Sequence, residues 1–440
     1  MEGKSLAWYN KLLKERGSLM TFKEGVNLHF INNHTFKTNH IKVRFSCPLD
    51  QAKLAERSLI AALWETANQD YPTSRKFREK LASMYGASFT TSISRKGQVS
   101  ILDIDIAYVK DQFLSQKYLL TNQVMTFLSQ VLFRPLLNDQ KDGFNEELFE
   151  LEKRNLLAAE QSNLEDPTYL ASQKLKETFY LEESLKSPEC GSKKELQSLD
   201  AKKTYSYMIK MLERDQIDLY FLGEFNQVSI EEHLGSFDLQ DRKSSLQIIY
   251  KQETTNITKE VFDRKDFKQS ILELGFSHSS YFGERDYPCL MVLNSLLGAG
   301  PHSKLFRNIR EKEGLAYSTS SLLNPYTGLL RVYAAIKATD KNKVFSLILK
   351  ELKAIKTGKV SQEELRASKE LIKNNYLLSL DQADGYIERV YLSQFFNQVY
   401  KDEKEFISLI DQVSVNQIKD LAQTITLQAV YFLEGKKDES

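Results

Sequence analysis

The chain has 440 residues, 41% of them hydrophobic and 27% charged, which is enough to bury more than one core and suggests about two to three domains. Sixty basic residues stand against 59 acidic ones, a formal net charge of +1, so no global field draws the protein to nucleic acid or to an anionic membrane surface. Cys47, Cys190 and Cys289 lie far apart at no metal-ligand or redox spacing, which fits a reducing compartment, and a cytoplasmic protein is expected.

At the N-terminus Lys4, Lys11, Lys14, Glu15 and Arg16 interrupt the apolar residues, so no export signal is expected. VNLHFINNHTFKTNHIKVRF at 26–45 then reads as a β-hairpin carrying His29, His34 and His40. An apolar helix over 54–67 precedes SRKFREKLASMYGASFTTS at 74–92, a charged helix stopped by Gly86 before a small, aromatic and hydroxyl run that enters a strand. A β-rich stretch over 99–109 leads to Asp111 and a new helix, and EELFELEKRNLL at 146–157 predicts a long charged helix with an apolar stripe. IDLYFLGEF at 217–225 closes this half as a strand, and the polar run 226–259 reads as a connection.

The same order then recurs. An apolar helix over 290–297 precedes SKLFRNIREKEGLAYSTS at 303–320, with Gly314 as its stop, and a β-rich stretch over 329–338 leads to Asp340 and a helix. EELRASKELIKN at 363–374 matches the long charged helix, and LQAVYFLEG at 427–435 matches the closing strand. Corresponding segments in one order predict a tandem duplication, an α+β fold in which each α/β unit has a mostly antiparallel sheet covered by helices on one face. The expected domains are 1–225, a linker at 226–259, and 260–440. The longest uncharged apolar run, CLMVLNSLLGAG at 289–300, falls short of the roughly 20 residues a membrane span needs, so no span is expected.

LLGAGPHSKLFRNIREKEGLAYSTSS at 296–321 closely resembles the second-domain signature of pitrilysin/insulinase-type zinc metallopeptidases, a small-residue turn followed by S-x-L-F-x-x-x-R-x-x-x-G-L-x-Y. The duplicated order of elements, with the strand ending in LGEF at 222–225, extends the resemblance over nearly the whole chain. Within that superfamily the chain is most similar to short bacterial two-domain members and to the non-catalytic subunit of the mitochondrial processing peptidase. The resemblance implies the LuxS/insulinase-like fold and an inverted zinc signature, H-x-x-E-H, on the first apolar helix. Histidines four apart would there project from one helix face to a metal, beside a glutamate that serves as general base.

Laid on LIAALWETANQ, the motif falls with Ala62 and Thr66 at the histidine positions and keeps only Glu65. The third ligand of the family, a glutamate at the end of E-x-x-x-x-x-x-E, lands on Ala159 when counted from Glu152. A methyl group cannot coordinate zinc and a neutral hydroxyl is a poor ligand. The expectation is therefore a degenerate site: no metal and no cofactor on this chain, with Glu65 a vestige or a helix-surface carboxylate rather than a base. No two of the six histidines stand at helical ligand spacing, and scattered surface and strand histidines explain them better than a relocated site. Gly298 to Lys304 lacks phosphate-loop spacing and reads as a helix stop and turn.

The resemblance leaves Arg310 and Tyr317 as the chemically equipped pair, matching residues that face the zinc across the peptide chamber of active relatives. A tyrosine hydroxyl there can stabilise an oxyanion and a guanidinium can hold a substrate carbonyl or carboxylate. The implied function is a non-catalytic subunit of a heterodimer that encloses the chamber and lends this pair to a zinc-bearing paralogous peptidase acting on a peptide or pro-peptide. The alternatives are a peptidase active alone through unorthodox ligands and a pure scaffold or assembly subunit.

Overall fold

The computed structural model describes residues 17–114, 120–397, 400 and 402–436, so the charged stretch from Lys4 to Arg16 lies outside the described residues. Strand β1 (Gly17–Lys23) turns back on β2 (Val26–Asn32), and β3 (Thr38–Pro48) leads into α1 (Leu54–Thr66) and α2 (Ser74–Ser83). Then come β4 (Ser88–Lys96), β5 (Val99–Val109), α3 (Leu120–Phe133) and α4 (Glu146–Glu165). After α5 (Pro167–Phe179), α6 (Glu183–Lys186), α7 (Lys193–Gln197) and α8 (Ala201–Arg214), β6 (Gln216–Gly223) and α9 (Gln227–Leu234) complete the first half.

The second half runs β7 (Lys259–Arg264), β8 (Ser270–Ser277), α10 (Tyr287–Leu297), β9 (Ala316–Asn324), β10 (Leu329–Ile336), α11 (Lys341–Lys356) and α12 (Gln362–Ser379). It closes with α13 (Ala383–Ser393), α14 (Glu403–Asp411), α15 (Val415–Gln423) and β11 (Thr426–Glu434). Starts are written in cap chemistry: Thr73 and Asp200 accept from the first-turn amides of α2 and α8, and Ser361 with Glu364 forms a capping box on α12. None of the helices among the described residues is long and apolar enough to cross a membrane.

The sheet orders are β1-β2-β6-β3-β5-β4 and β7-β11-β8-β10-β9. Without β1 they are the same arrangement, with one parallel pair in each, β2 with β6 and β7 with β11, and antiparallel pairing elsewhere. This is the expected duplication. Gly86 and Gly314 stand at matching turns, at φ +70° and +63°, each two residues before an edge strand. A Cβ would meet nothing within 4 Å at either place, so the left-handed backbone rather than crowding selects glycine.

The first core gathers α1 residues Leu59, Ile60, Leu63 and Trp64 with Val43 and Phe45 of β3, and the second gathers Leu290, Leu293 and Leu296 of α10 with Leu272 and Leu274 of β8.

Two details differ from the sequence reading. β2 and β3 do not form a hairpin: β6 lies between them, parallel to β2 and antiparallel to β3. IDLYFLG is buried along its length and needs a hydrogen-bonded neighbour on each edge, which a direct β2–β3 pairing would deny it. Nor are helices confined to one face, because α5 packs on the face of the second sheet opposite α10, where a Cβ on Gly275 would meet Phe179 at 3.0 Å.

The compact units follow from that packing. One unit comprises Met1–Gln161 and Pro188–Gln247, and the other comprises Ser162–Ser187 and Ile248–Ser440.

Candidate functional site

In the first unit the last turn of α1 carries the degenerate motif. Ala62, Glu65 and Thr66 are all half-buried there, whereas Leu63 and Trp64 face the core. Thr66 Oγ1 lies 3.0 Å from Glu152 Oε1 on α4 and 3.0 Å from the Ala62 carbonyl. The other oxygen of Glu152 accepts from Asn155 Nδ2 at 3.1 Å. Glu152 is only 9% exposed, while Ala159 points to solvent about two turns further along α4. The carboxylate that α4 presents to Thr66 is therefore that of Glu152. A signal for it existed: Glu152 sits three residues after buried Phe149 and four before Leu156, so a charge occupies the apolar stripe of the helix.

Glu65 is held in a different way. Its Oε2 accepts from the Thr91 amide at 3.0 Å and from the Thr91 hydroxyl at 3.0 Å, and Arg78 lies 3.6 Å from its Oε1. These contacts tie the end of α1 to β4. Set against a zinc site, the residues do not fit: a methyl, a hydroxyl and two separately bonded carboxylates offer no imidazole. Among the described residues, no group of three or more His, Cys, Asp and Glu side chains could hold a metal ion.

The strand histidines each have a local partner. His29 Nε2 meets Asp218 at 2.8 Å and its ring stacks on Tyr220 at 4.5 Å, all three fully buried. Burial alone would raise the Asp218 pKa, but hydrogen bonds and charge from His29, with Gln216 and Asn27, hold it below the usual carboxylate range. His34 faces Glu224 at 3.2 Å, and His40 lies 2.8 Å from the Thr38 hydroxyl.

In the second unit, Arg310 lies on a π-helical stretch, Phe306–Lys312, where the sequence predicts an ordinary charged helix. Its guanidinium sits 4.8 Å above the Phe306 ring and is otherwise exposed. Tyr317 is 52% exposed on β9, an edge strand. Ala316 pairs with Ile336 and Ser318 with Ala335, so Tyr317 is the extra residue of a β-bulge. In the first copy α2 is a regular α-helix and the β4–β5 register runs without a shift. Both irregularities thus belong to the second copy alone, and they carry the two candidate side chains. π-turns and β-bulges re-aim side chains and concentrate near functional sites.

Residues 198–372 match the family model of the peptidase M16 inactive domain. Over 436 residues the chain is 25% identical to the probable inactive metalloprotease YmfF of Bacillus subtilis (strain 168), covering 99% of this chain and 100% of that protein. A conserved protein from Enterococcus faecalis V583 superposes with a TM-score of 0.92 at 33% identity, over 97% of this chain and 100% of the other. A protease from Helicobacter pylori shares the fold, with a TM-score of 0.77 at 15% identity over 95% and 99% of the two chains.

Proposed function

Starting from a chain that belongs to the pitrilysin/insulinase-type (M16) superfamily, as a two-domain member without the H-x-x-E-H motif, we propose that it is the non-catalytic subunit of a zinc peptidase. In this reading it acts in the cytoplasm, encloses part of a peptide chamber, and lends Arg310 and Tyr317 to a zinc-bearing paralogue in a heterodimer that processes peptides or pro-peptides.

The observation that carries the reading is the coincidence of a π-turn and a β-bulge at these two residues. Backbone irregularity costs regular hydrogen bonding, and its value here lies in presenting one guanidinium and one phenol to solvent. Five guanidinium donors can position carbonyl or carboxylate oxygens before and during reaction, while the phenol can donate to a developing oxyanion. The chemistry of water activation would belong to the partner's zinc. This chain's contribution is positioning and charge stabilisation.

The test is reconstitution with the zinc-bearing paralogue from the same genome. Tyr317→Phe removes one hydroxyl and little volume, so assembly should persist while turnover of the complex falls about 10²- to 10³-fold, the usual effect of deleting one oxyanion donor. Arg310→Ala should weaken substrate binding as well as turnover. Glu65→Gln should change the rate little. A stable complex carrying both Tyr317→Phe and Arg310→Ala that cleaves at the wild-type rate removes the lending role and leaves a scaffold.

A further inference from the structure

The first unit holds a cleft of about 820 Å³ that the degenerate motif does not explain. It lies between the N-terminal end of α1 and the outer face of α8, so about 15 Å of helix separates its rim at Glu56 from Thr66. Its lower wall is largely uncharged: Pro48, Met211, the half-buried ring of Tyr207, and the Cys47 thiol, which burial pushes up to about 12 and so keeps protonated.

The rim is cationic, and its charges separate into paired and unpaired. Lys53 meets Glu56 at 2.8 Å, and Lys202 meets Asp142 at 2.8 Å. Asp215, at the base, is ion-paired with the fully buried Arg57, and Asp50 is engaged by the Ala52 amide at 3.0 Å. Among the described residues, Lys203, Lys210 and Arg214 have no acidic partner, and all three are exposed on the stripe of α8 that borders the cleft. On a helix they rise along one side with axial separations of about 10 Å and 6 Å. In a chain whose net charge is +1, that is a local concentration of cations over an apolar trough.

We propose that this cleft binds an extended acidic segment of a polypeptide, in which carboxylates alternate with apolar side chains. The spacing favours such a ligand. Side chains on one side of an extended strand recur about every 6.6 Å, which places alternate carboxylates opposite Arg214 and Lys210 on α8, while the intervening apolar groups point away from α8 toward the wall that Cys47 and Pro48 supply. A single phosphate would leave most of the volume empty and reach one cation. This site stands independently of the lending role of Arg310 and Tyr317, because it uses other residues in the other unit.

The probes are a fluorescein-labelled heptapeptide of alternating Glu and Leu, its Gln-for-Glu counterpart, and inorganic tripolyphosphate, each titrated against the full chain by anisotropy or calorimetry. The acidic peptide should bind, the Gln peptide should not, and binding should weaken as salt is raised. Lys203→Glu/Lys210→Glu/Arg214→Glu should raise the Kd about tenfold or more. The matched control Lys76→Glu/Lys359→Glu/Lys404→Glu, exposed away from the cleft and equal in charge change, should leave it within about twofold. Equal loss in both triple variants would make the effect one of net charge and overturn the site. Equal binding of the Gln peptide, or binding of tripolyphosphate without the acidic peptide, would overturn the ligand class.

Discussion

Replacing Ala62 and Thr66 with histidine tests how much of a metal site the scaffold keeps. The two positions are one helical turn apart on α1, both half-exposed, so two imidazoles can enter with little core displacement. The Glu152 carboxylate already lies 3.0 Å from the Thr66 hydroxyl, in the place a third ligand would need. Two histidines and one carboxylate with an open fourth position form a recognised zinc ligand set. Ala62→His/Thr66→His should therefore bind one zinc per chain. At free zinc 100-fold above its Kd, binding should stabilise the first unit by about 2.7 kcal/mol, a melting shift of about 5–10 °C for a unit of this size. Metal analysis after dialysis and calorimetry with and without chelator read both quantities. Adding Glu152→Ala should abolish the gain. If zinc binds equally without Glu152, or only once Ala159→Glu is added, the assignment of Glu152 as the surviving carboxylate is refuted.

The unaltered chain should carry less than about 0.1 zinc per molecule and release no product from peptide substrates on its own, with near-equimolar zinc after chelator washing as the contrary result. Asp218→Ala leaves His29 buried without its carboxylate and should destabilise the first unit by about 3–5 kcal/mol in urea unfolding. Because the native Asp218 pKa lies below its unfolded value, the stability it contributes is present at neutral pH and lost as pH falls below about 4. In the second unit burial lowers His278 from 6.5 to about 4, so the neutral ring is the folded form. Stability should then fall by on the order of 3 kcal/mol as pH drops from 6.5 to 4, and His278→Asn should flatten that slope in hydrogen exchange of the β8 amides.

Local chemistry made the repeat readable. Gly86 and Gly314 are visible in sequence because a left-handed turn after a helix selects glycine, and the closing strands are visible because β6 and β11 carry short apolar and aromatic runs, LYFL and AVYFL. That Ala62 and Thr66 stand at the family's histidine positions is what the resemblance implies once its motif is laid on LIAALWETANQ. Pairing was not readable in the same way: VNLHFIN and TNHIKVRFSCP lie close in the chain, while the strand between them comes some 170 residues later, and nothing local encodes its arrival. Glu152 is marked in sequence as a charge in the apolar stripe of α4, but its contact with Thr66 is a tertiary fact, fixed by which side of α4 meets α1. The π-turn and bulge around Arg310 and Tyr317 depend on how helix and strand are pulled together, so the sequence named the residues without showing how the backbone presents them.

The assignment of Ser162–Ser187 to the second unit also has a consequence for synthesis. Helix α5 leaves the ribosome before any strand of the sheet it covers, and the chain must grow from Phe179 to beyond Ser270 before β8 can receive it. At about 5–20 residues per second that interval is on the order of 5–20 s, during which the apolar side bearing Leu170, Leu175 and Phe179 has no native surface to rest on. A nascent chain at that stage is a natural client for a holding chaperone. Splitting the gene within 226–259 would strand the helix on the wrong fragment, whereas a split that carries residues 162–187 with the second half would not.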